Sequence, residues 1–273
     1  MEGPLAEKRV QQLEPNANFS FTEGPVYFFS DEGSVDPIEA VLALKVEAVK
    51  LGVNFVISVK CTGLLRGKGG RVIGIESAGS TIKEADVVLV AAGVGSSASA
   101  SALGGMPLIL SPGRISFARP NHDVRESPDS VRINRIQVDT VRKCHVLQRR
   151  DGTFVAGGGV LEVGGTISAA NSGACASSFS DDKGLQIVAA ANQLSPQTIS
   201  RSSFSHSTAA IRPMPKDGLP IVGFIEHGRY CVVTHSGITI APLLGALIAH
   251  ELSLQLDLDV LKPYRPTRLA KRE

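Results

Sequence analysis

Three stretches of the chain have residue types and spacing that could do chemistry. The first is Gly93-Val94-Gly95-Ser96-Ser97-Ala98, a G-x-G-x-x-A pattern directly after the apolar run Val87 to Ala91. Glycines between a strand and a helix let the backbone approach a pyrophosphate closely, with helix-start amides facing it. Taken alone, the pattern offers a nicotinamide dinucleotide site, with Arg114 placed to hold a 2′-phosphate. Gly104, Gly105 and Pro107 leave room for only a short helix after it. The acidic residue expected about twenty positions on to hold a ribose is absent from Ser111 to Arg119. A small-residue loop at a strand end, beside some other ligand, is the competing reading.

The second stretch is His235-Ser236-Gly237-Ile238-Thr239-Ile240-Ala241-Pro242. It follows an apolar run and opens a long apolar helical pattern, so a tight turn would aim helix-start amides at an electron-rich group. An ordinary strand–helix join capped by Ser236 fits the same spacing. The third, Arg212-Pro213-Met214-Pro215-Lys216-Asp217-Gly218-Leu219-Pro220, is dense in turn residues and carries one arginine.

Other chemistries are disfavoured by what surrounds the candidate residues. The six histidines show no H-x-x-x-H or paired Cys/His spacing, so no metal is expected. Ser236 beside His235 lacks the G-x-S-x-G of a nucleophile elbow. Gly67 to Arg71 has one lysine and no following Ser or Thr, so it reads as a turn. Gly157-Gly158-Gly159 and Gly164-Gly165 read as bulges or turns.

The elements that must position these residues are partly legible. Gly33 to Leu51 predicts a helix: Asp36 caps it, Pro37 fits its first turn, Glu39 completes a capping box and Gly52 stops it. Ile38, Val41, Leu42, Val46 and Val49 form its apolar stripe. Val26 to Phe29 and Val53 to Val59 predict strands. Leu64 to Arg66 and Arg71 to Glu76, joined by a glycine turn, predict a hairpin. Val87 to Ala91 predicts a strand buried on both faces. Alternation from Pro107 to Gly159 predicts antiparallel strands. Asp181 to Leu194 predicts a helix stopped near Pro196, and Ile238 to Leu256 another. Leu219 to Phe224 and Tyr230 to Thr234 predict two strands, and Ser/Ala-rich 168–180 a loop.

Composition bounds the rest. The chain has 273 residues, 43% hydrophobic and 20% charged, enough for one large core or two intertwined ones. A net charge of +2 gives no footprint for nucleic acid or an acidic membrane. No stretch is expected to span a bilayer, and the charged start is no signal peptide. Cys61, Cys144, Cys175 and Cys231 are widely spread, which suits free thiols and an intracellular, cytoplasmic setting. The basic tail Lys262 to Lys271 reads as a solvated end.

Several ordered motifs together resemble one family. R-P-M-x-x-D-G-L-P-I-x-G from Arg212, then H-S-G-I-T-I-A-P from His235, resembles the C-terminal signature of the D-amino acid oxidase, glycine oxidase and sarcosine oxidase family. Gly33-Ser34-Val35-Asp36-Pro37, Val87 to Gly93, Asp151-Gly152-Thr153-Phe154-Val155-Ala156-Gly157-Gly158 and Tyr264-Arg265-Pro266-Thr267-Arg268 resemble family segments in the right order. The resemblance covers nearly the whole chain.

The resemblance implies an α/β Rossmann-like FAD-binding domain, roughly 31–104 and 209–256, with an α+β antiparallel-sheet substrate domain, roughly 1–30 and 105–208, and a tail from 257 to 273. It implies hydride transfer from the C–N bond of an amino acid or amine to FAD. On the matching positions, Val59 meets the adenine side; Ala91, Ala92 and Gly93 approach the cofactor; His235, Ser236, Gly237, Ile238 and Thr239 surround the flavin ring. Arg212 lies where some members hold the substrate carboxylate, or else it makes a structural ion pair. Family members begin with a strand–G-x-G-x-x-G–helix unit that residues 1–33 do not contain, so the chain reads as N-terminally truncated and its FAD-binding domain as incomplete. Two further readings follow: a non-catalytic remnant, or a half completed by a separate N-terminal FAD-binding polypeptide. An NAD(P)-binding protein using Gly93 to Ala98 is the third function class.

Overall fold

The computed structural model describes residues 7–18, 25–77, 80–97, 105–120, 133, 136–140, 144–158, 181–199 and 202–269. Its helices are α1 (Glu7–Leu13), α2 (Pro37–Lys50), α3 (Asp181–Leu194), α4 (Pro196–Ile199) and α5 (Gly237–Leu254). Its strands are β1 (Cys61–Arg66), β2 (Val72–Ser77), β3 (Ser80–Glu84), β4 (Val88–Val90), β5 (Leu108–Pro120), β6 (Gln137–Asp139), β7 (Cys144–Gln148), β8 (Phe154–Gly158), β9 (Ser202–Pro215), β10 (Ile221–Glu226) and β11 (Arg229–Val233). The chain divides into two compact units. One comprises Met1–Lys45, Pro112–Gly165 and Ala174–Ala210; the other comprises Val46–Ser111, Thr166–Gly173 and Ile211–Glu273.

The first unit is built on a sheet of order β6-β7-β8-β5-β9. The β5–β8 and β7–β8 pairs are antiparallel, with Val146 opposite Ala156 and Phe117 opposite Val155. Alternation divides the side chains between two faces. Ala118, Cys144, Val146, Phe154 and Ala156 pack with Ile187, Ala191 and Leu194 of α3 into one core. On the other face His206 stacks on Phe117, with ring centroids 4.6 Å apart, and the Arg149 guanidinium lies over the same ring. Gly157 leaves room there for a ring from the neighbouring strand. Its register partner is His145, and a Cβ at 157 would lie 2.3 Å from that imidazole. Burial lowers the His145 pKa, so the ring is held neutral near pH 7.

The second unit holds the meander β1-β2-β3 and the sheet β10-β11-β4. In the latter, β11 runs antiparallel to β10 and parallel to β4, with Cys231 opposite Val90. Val222 and Tyr230 pack on Leu244 and Ile248 of α5 and on Leu261. Gly228 makes the β10–β11 turn with φ +85°, and an added Cβ would sit 2.0 Å from the Val72 carbonyl oxygen. The close approach is held by the Val72 N–H donating to the His227 carbonyl.

Several expectations hold. The Asp36 side chain accepts from the Ile38 and Glu39 amides at 2.8 and 3.2 Å, capping α2. At the other end Gly52 has φ +87°, and the Gly52 and Val53 amides donate to Val49 and Ala48 carbonyls. The hairpin β1–β2, helix α3 and helix α5 also form as expected.

Others are corrected. Val26 to Phe29 is irregular. Val53 to Val59 joins no sheet and is exposed throughout, although its composition suits a strand, because a strand forms only against a partner. The Val87–Ala91 run yields β4 with only Val88 and Val90 buried; Leu89 is 44% exposed at the sheet edge. Helix α2 buries none of its residues. Pro196 starts the short helix α4 rather than only stopping α3. Contrary to the reading that no stretch could span a bilayer, α5 is long and apolar enough by length and composition, though its Glu251 is buried and hydrogen-bonded within the second unit. The Ser/Ala-rich stretch 168–180, Cys175 and Gly164-Gly165 lie outside the described residues.

Candidate functional site

The site begins where β11 becomes α5. β11 ends at Val233, and α5 starts at Gly237. Ser236 turns the chain with φ +58°, a left-handed conformation uncommon for a residue with a Cβ. The expected side-chain cap is not made. Instead the Ser236 hydroxyl pairs with Nδ1 of His235 at 2.7 Å. The Thr234 hydroxyl donates to the His235 carbonyl at 2.6 Å. Ile240 makes the first helical bond back to Ser236. The amides of Gly237, Ile238 and Thr239 therefore stand at the positive end of an 18-residue helix, and all three residues are exposed. Among the described residues no atom would come within 4 Å of a Cβ at Gly237, so the helix start is open to them.

The other half comes from β4. Ala91, Ala92 and Gly93 follow its last residue, Val90. Because β4 and β11 are parallel neighbours in register, residues 91–93 and 234–236 leave the sheet at the same end. This places them at the carboxyl ends of adjacent parallel strands, where α/β sheets bind ligands. Gly93 has φ +55° and open space where its Cβ would be. Gly93–Ser96 forms a 3₁₀ turn and Ser97 is extended, bridging to Met106. The helix that the nicotinamide reading needs does not begin at these residues; 98–104 lie outside the described ones.

Two predicted site residues belong to other elements. Val59 is exposed, just after Ser58, whose φ of +60° marks a second left-handed position. Arg212 is half-buried on β9. Among the described residues no group of three His, Cys, Asp or Glu could hold a metal ion.

What sequence reasoning missed is the polar frame behind α5. Glu251, 3% exposed in the last turn, accepts from the Tyr230 hydroxyl, the Arg265 guanidinium and the Leu258 amide. Burial pushes the Glu251 carboxyl up, but Arg265 and its other donors leave it below the ordinary range. Burial, with Glu251 beside it, raises the Tyr230 phenol. Arg265 also reaches Asp257. Arg268 forks onto Asp217 at 2.7 and 3.1 Å and donates to the carbonyls of Tyr264, Arg265 and Leu219. The tail to Leu269 is therefore pinned, not a solvated end. The available signal was a glutamate inside an apolar helix and two arginines three apart. A cleft of about 900 Å³ adjoins this frame, lined by Arg71, Asp86, His227, Glu251, Asp257 and Arg265 among others. Glu251 lies roughly 18 Å along the helix from Thr239, at ~1.5 Å per residue, so the cleft is separate from the α5 start.

The DAO family model, described as FAD dependent oxidoreductase, matches residues 2–251. The chain belongs to this family. No curated protein sequence matches it. Solved structures show the same fold at low identity. L-proline dehydrogenase from P. horikoshii superposes with a TM-score of 0.78 at 17% identity, covering 97% of this chain and 68% of its own. Glycine oxidase from Geobacillus kaustophilus gives 0.73 at 18%, covering 97% and 66%. L-amino acid deaminase from Proteus myxofaciens gives 0.72 at 17%, covering 97% and 67%. The chain thus spans about two thirds of the length of these relatives. Family membership implies an FAD-dependent oxidoreductase.

FAD is a group this family implies, and the residues present fit part of it. The glycines at 93 and 237 leave open space, and exposed helix-start amides stand at the same sheet end as Ala91 and Ala92. A buried carboxylate that would repel an electron-rich ring is absent from Ala91–Gly93 and His235–Thr239.

Proposed function

We propose that this chain supplies the flavin-ring side of an enzyme that oxidises a C–N bond of an amino acid or amine. The observation that carries the reading is the parallel pairing of β4 with β11, which brings the open Ala91–Gly93 turn beside the open start of α5. Bound FAD would supply the hydride acceptor for the oxidation. The amides of Gly237, Ile238 and Thr239 would hold the edge of the ring where negative charge grows, a fixed dipole that needs no reorganisation during reaction. Ser236, bonded to His235, would hold the turn that aims them. Ala91, Ala92 and Gly93 have side chains small enough for close backbone approach, and Val59 would meet the adenine side. Arg212 would hold a substrate carboxylate through a two-point ion pair, which favours amino acids over simple amines.

Glycine, L-proline and other L-amino acids are the substrates to try first, since the fold relatives are named for acting on them; D-amino acids and sarcosine follow from the resemblance. The test is the visible spectrum of the purified chain, mixed with excess FAD and freed of unbound cofactor. A retained flavin band that bleaches with one of these substrates supports the reading. A chain that holds no flavin alone, or in any complex it forms, would overturn it.

A further inference from the structure

The cleft at the end of α5 is walled entirely by the second unit. Arg71 stands just before β2 and Asp86 just before β4. The β10–β11 turn is tied to both strands, since the Val72 and Val88 amides donate to the His227 and Gly228 carbonyls at 2.9 Å each. Walls fixed in this way bind a ligand without first having to be ordered. Val87, Phe224, Leu252 and Leu256 give the cleft an apolar lining, and two arginines and three carboxylates share it. Apolar walls with a few polar groups converging on one space are the ordinary makeup of a small-molecule site.

The charges select the molecule. Arg265 is taken up by Glu251, Asp257 and the Val222 carbonyl. Arg71 is not. Its Nη2 donates to the Asp86 carbonyl at 2.9 Å, and its buried Nε has no partner among the described residues. Asp86 is exposed and, among the described residues, forms no ion pair. One guanidinium and one carboxylate are left over. The Arg71–Asp86 bond keeps them close, because a carboxylate lies only a few bonds from the carbonyl of its own residue. A simple anion on Arg71 would lie against the charge of Asp86. A simple cation on Asp86 would leave the Arg71 Nε buried without an acceptor. A molecule with both charges on one carbon satisfies the two together. We infer that this cleft binds a free α-amino acid with a large apolar side chain. Its carboxylate pairs with Arg71, its ammonium with Asp86, and its side chain lies against Phe224 and Leu252. This site is at the opposite end of α5 from Gly237–Thr239, and the inference does not rest on the flavin reading.

The test is calorimetric titration of the full chain with L-phenylalanine, with hydrocinnamate, which lacks the ammonium, and with phenethylamine, which lacks the carboxylate. L-Phenylalanine should bind, and each analogue should bind roughly tenfold more weakly or worse. Asp86→Asn, at an exposed side chain without an ion pair, should weaken L-phenylalanine by a similar factor at an unchanged melting midpoint. Arg71→Lys should weaken it too, and Asp86→Asn decides where Arg71→Lys lowers the melting midpoint. A phenylalanine bearing a diazirine should label the peptides that contain Phe224 or Leu252. No binding of L-phenylalanine, an analogue that binds as tightly, full affinity in Asp86→Asn, or label confined to other peptides, those around Gly237 included, would each overturn the inference.

Discussion

Arg268 grips Asp217 with two parallel N–H···O bonds of 2.7 and 3.1 Å, across 51 residues of sequence. The same guanidinium donates to three backbone carbonyls, so its hydrogen-bonding capacity is nearly filled. Asp217 in turn accepts from the Leu219 amide and shapes the turn before β10. The pair joins the Asp-Gly-Leu-Pro turn to the tail, and with Arg265 and Glu251 it ties the tail to β10, β11 and the end of α5. The motifs that suggested a flavin site are thus partly architecture.

Arg268→Ala should lower the stability of the second unit by about 1–3 kcal/mol, the usual cost of removing charge-assisted hydrogen bonds and stranding their acceptors. Arg268→Lys should recover only a minority of the loss, because an ammonium cannot reproduce the fork. Urea unfolding followed by circular dichroism measures both.

Acid should destabilise the same unit. Asp217 is held below the ordinary carboxylate range by Arg268, and Glu251 is also held below it. Groups whose folded pKa is depressed contribute stability above their unfolded values, near 4, and lose it as pH falls through the folded values. The urea midpoint should hold from pH 7 to 5 and drop below pH 4. Asp217→Asn should start lower and fall less steeply.

Gly237→Val should leave the fold intact and weaken flavin binding. The added atoms meet open space among the described residues, but they project where a ligand would lie against the helix start. A melting midpoint near that of the wild type with FAD affinity reduced about tenfold, ~1.4 kcal/mol, is expected by fluorescence titration. Unchanged affinity would remove α5 from the site.

Arg212→Lys should raise KM for amino acids about 10- to 100-fold, leave kcat less affected, and spare amines that lack a carboxylate. An equal loss on both substrate classes would assign Arg212 a structural role. Steady-state kinetics on a matched acid and amine pair decides it.

Cys144 and Cys231 should resist iodoacetamide at pH 8 in the native protein. Burial pushes both thiols up to about 11, and the thiolate is the reacting species. Peptide mapping should find them labelled only after unfolding, whereas the half-exposed Cys61 should react first.

Local signals carried far in this chain. The caps of α2, its Gly52 stop, the β1–β2 hairpin and the bounds of α3 were all readable because each depends on neighbours a few residues away. The glycine-rich turn at Gly93 and the helix start at Gly237 were readable as open backbone for the same reason.

Tertiary structure decided the rest. No local pattern shows that β4 pairs in parallel with β11, about 140 residues later, and that pairing is what makes one site of two motifs. Gly157 looks like turn chemistry in the sequence, but in the sheet it makes room for the His145 ring on the neighbouring strand. The tail arginines look solvated until Glu251 and Asp217 are placed beside them. Val53 to Val59 has the residues of a strand and α2 has an apolar stripe, yet neither is buried here. Periodicity states which surfaces could be covered, while coverage itself depends on which other surfaces the fold brings within reach.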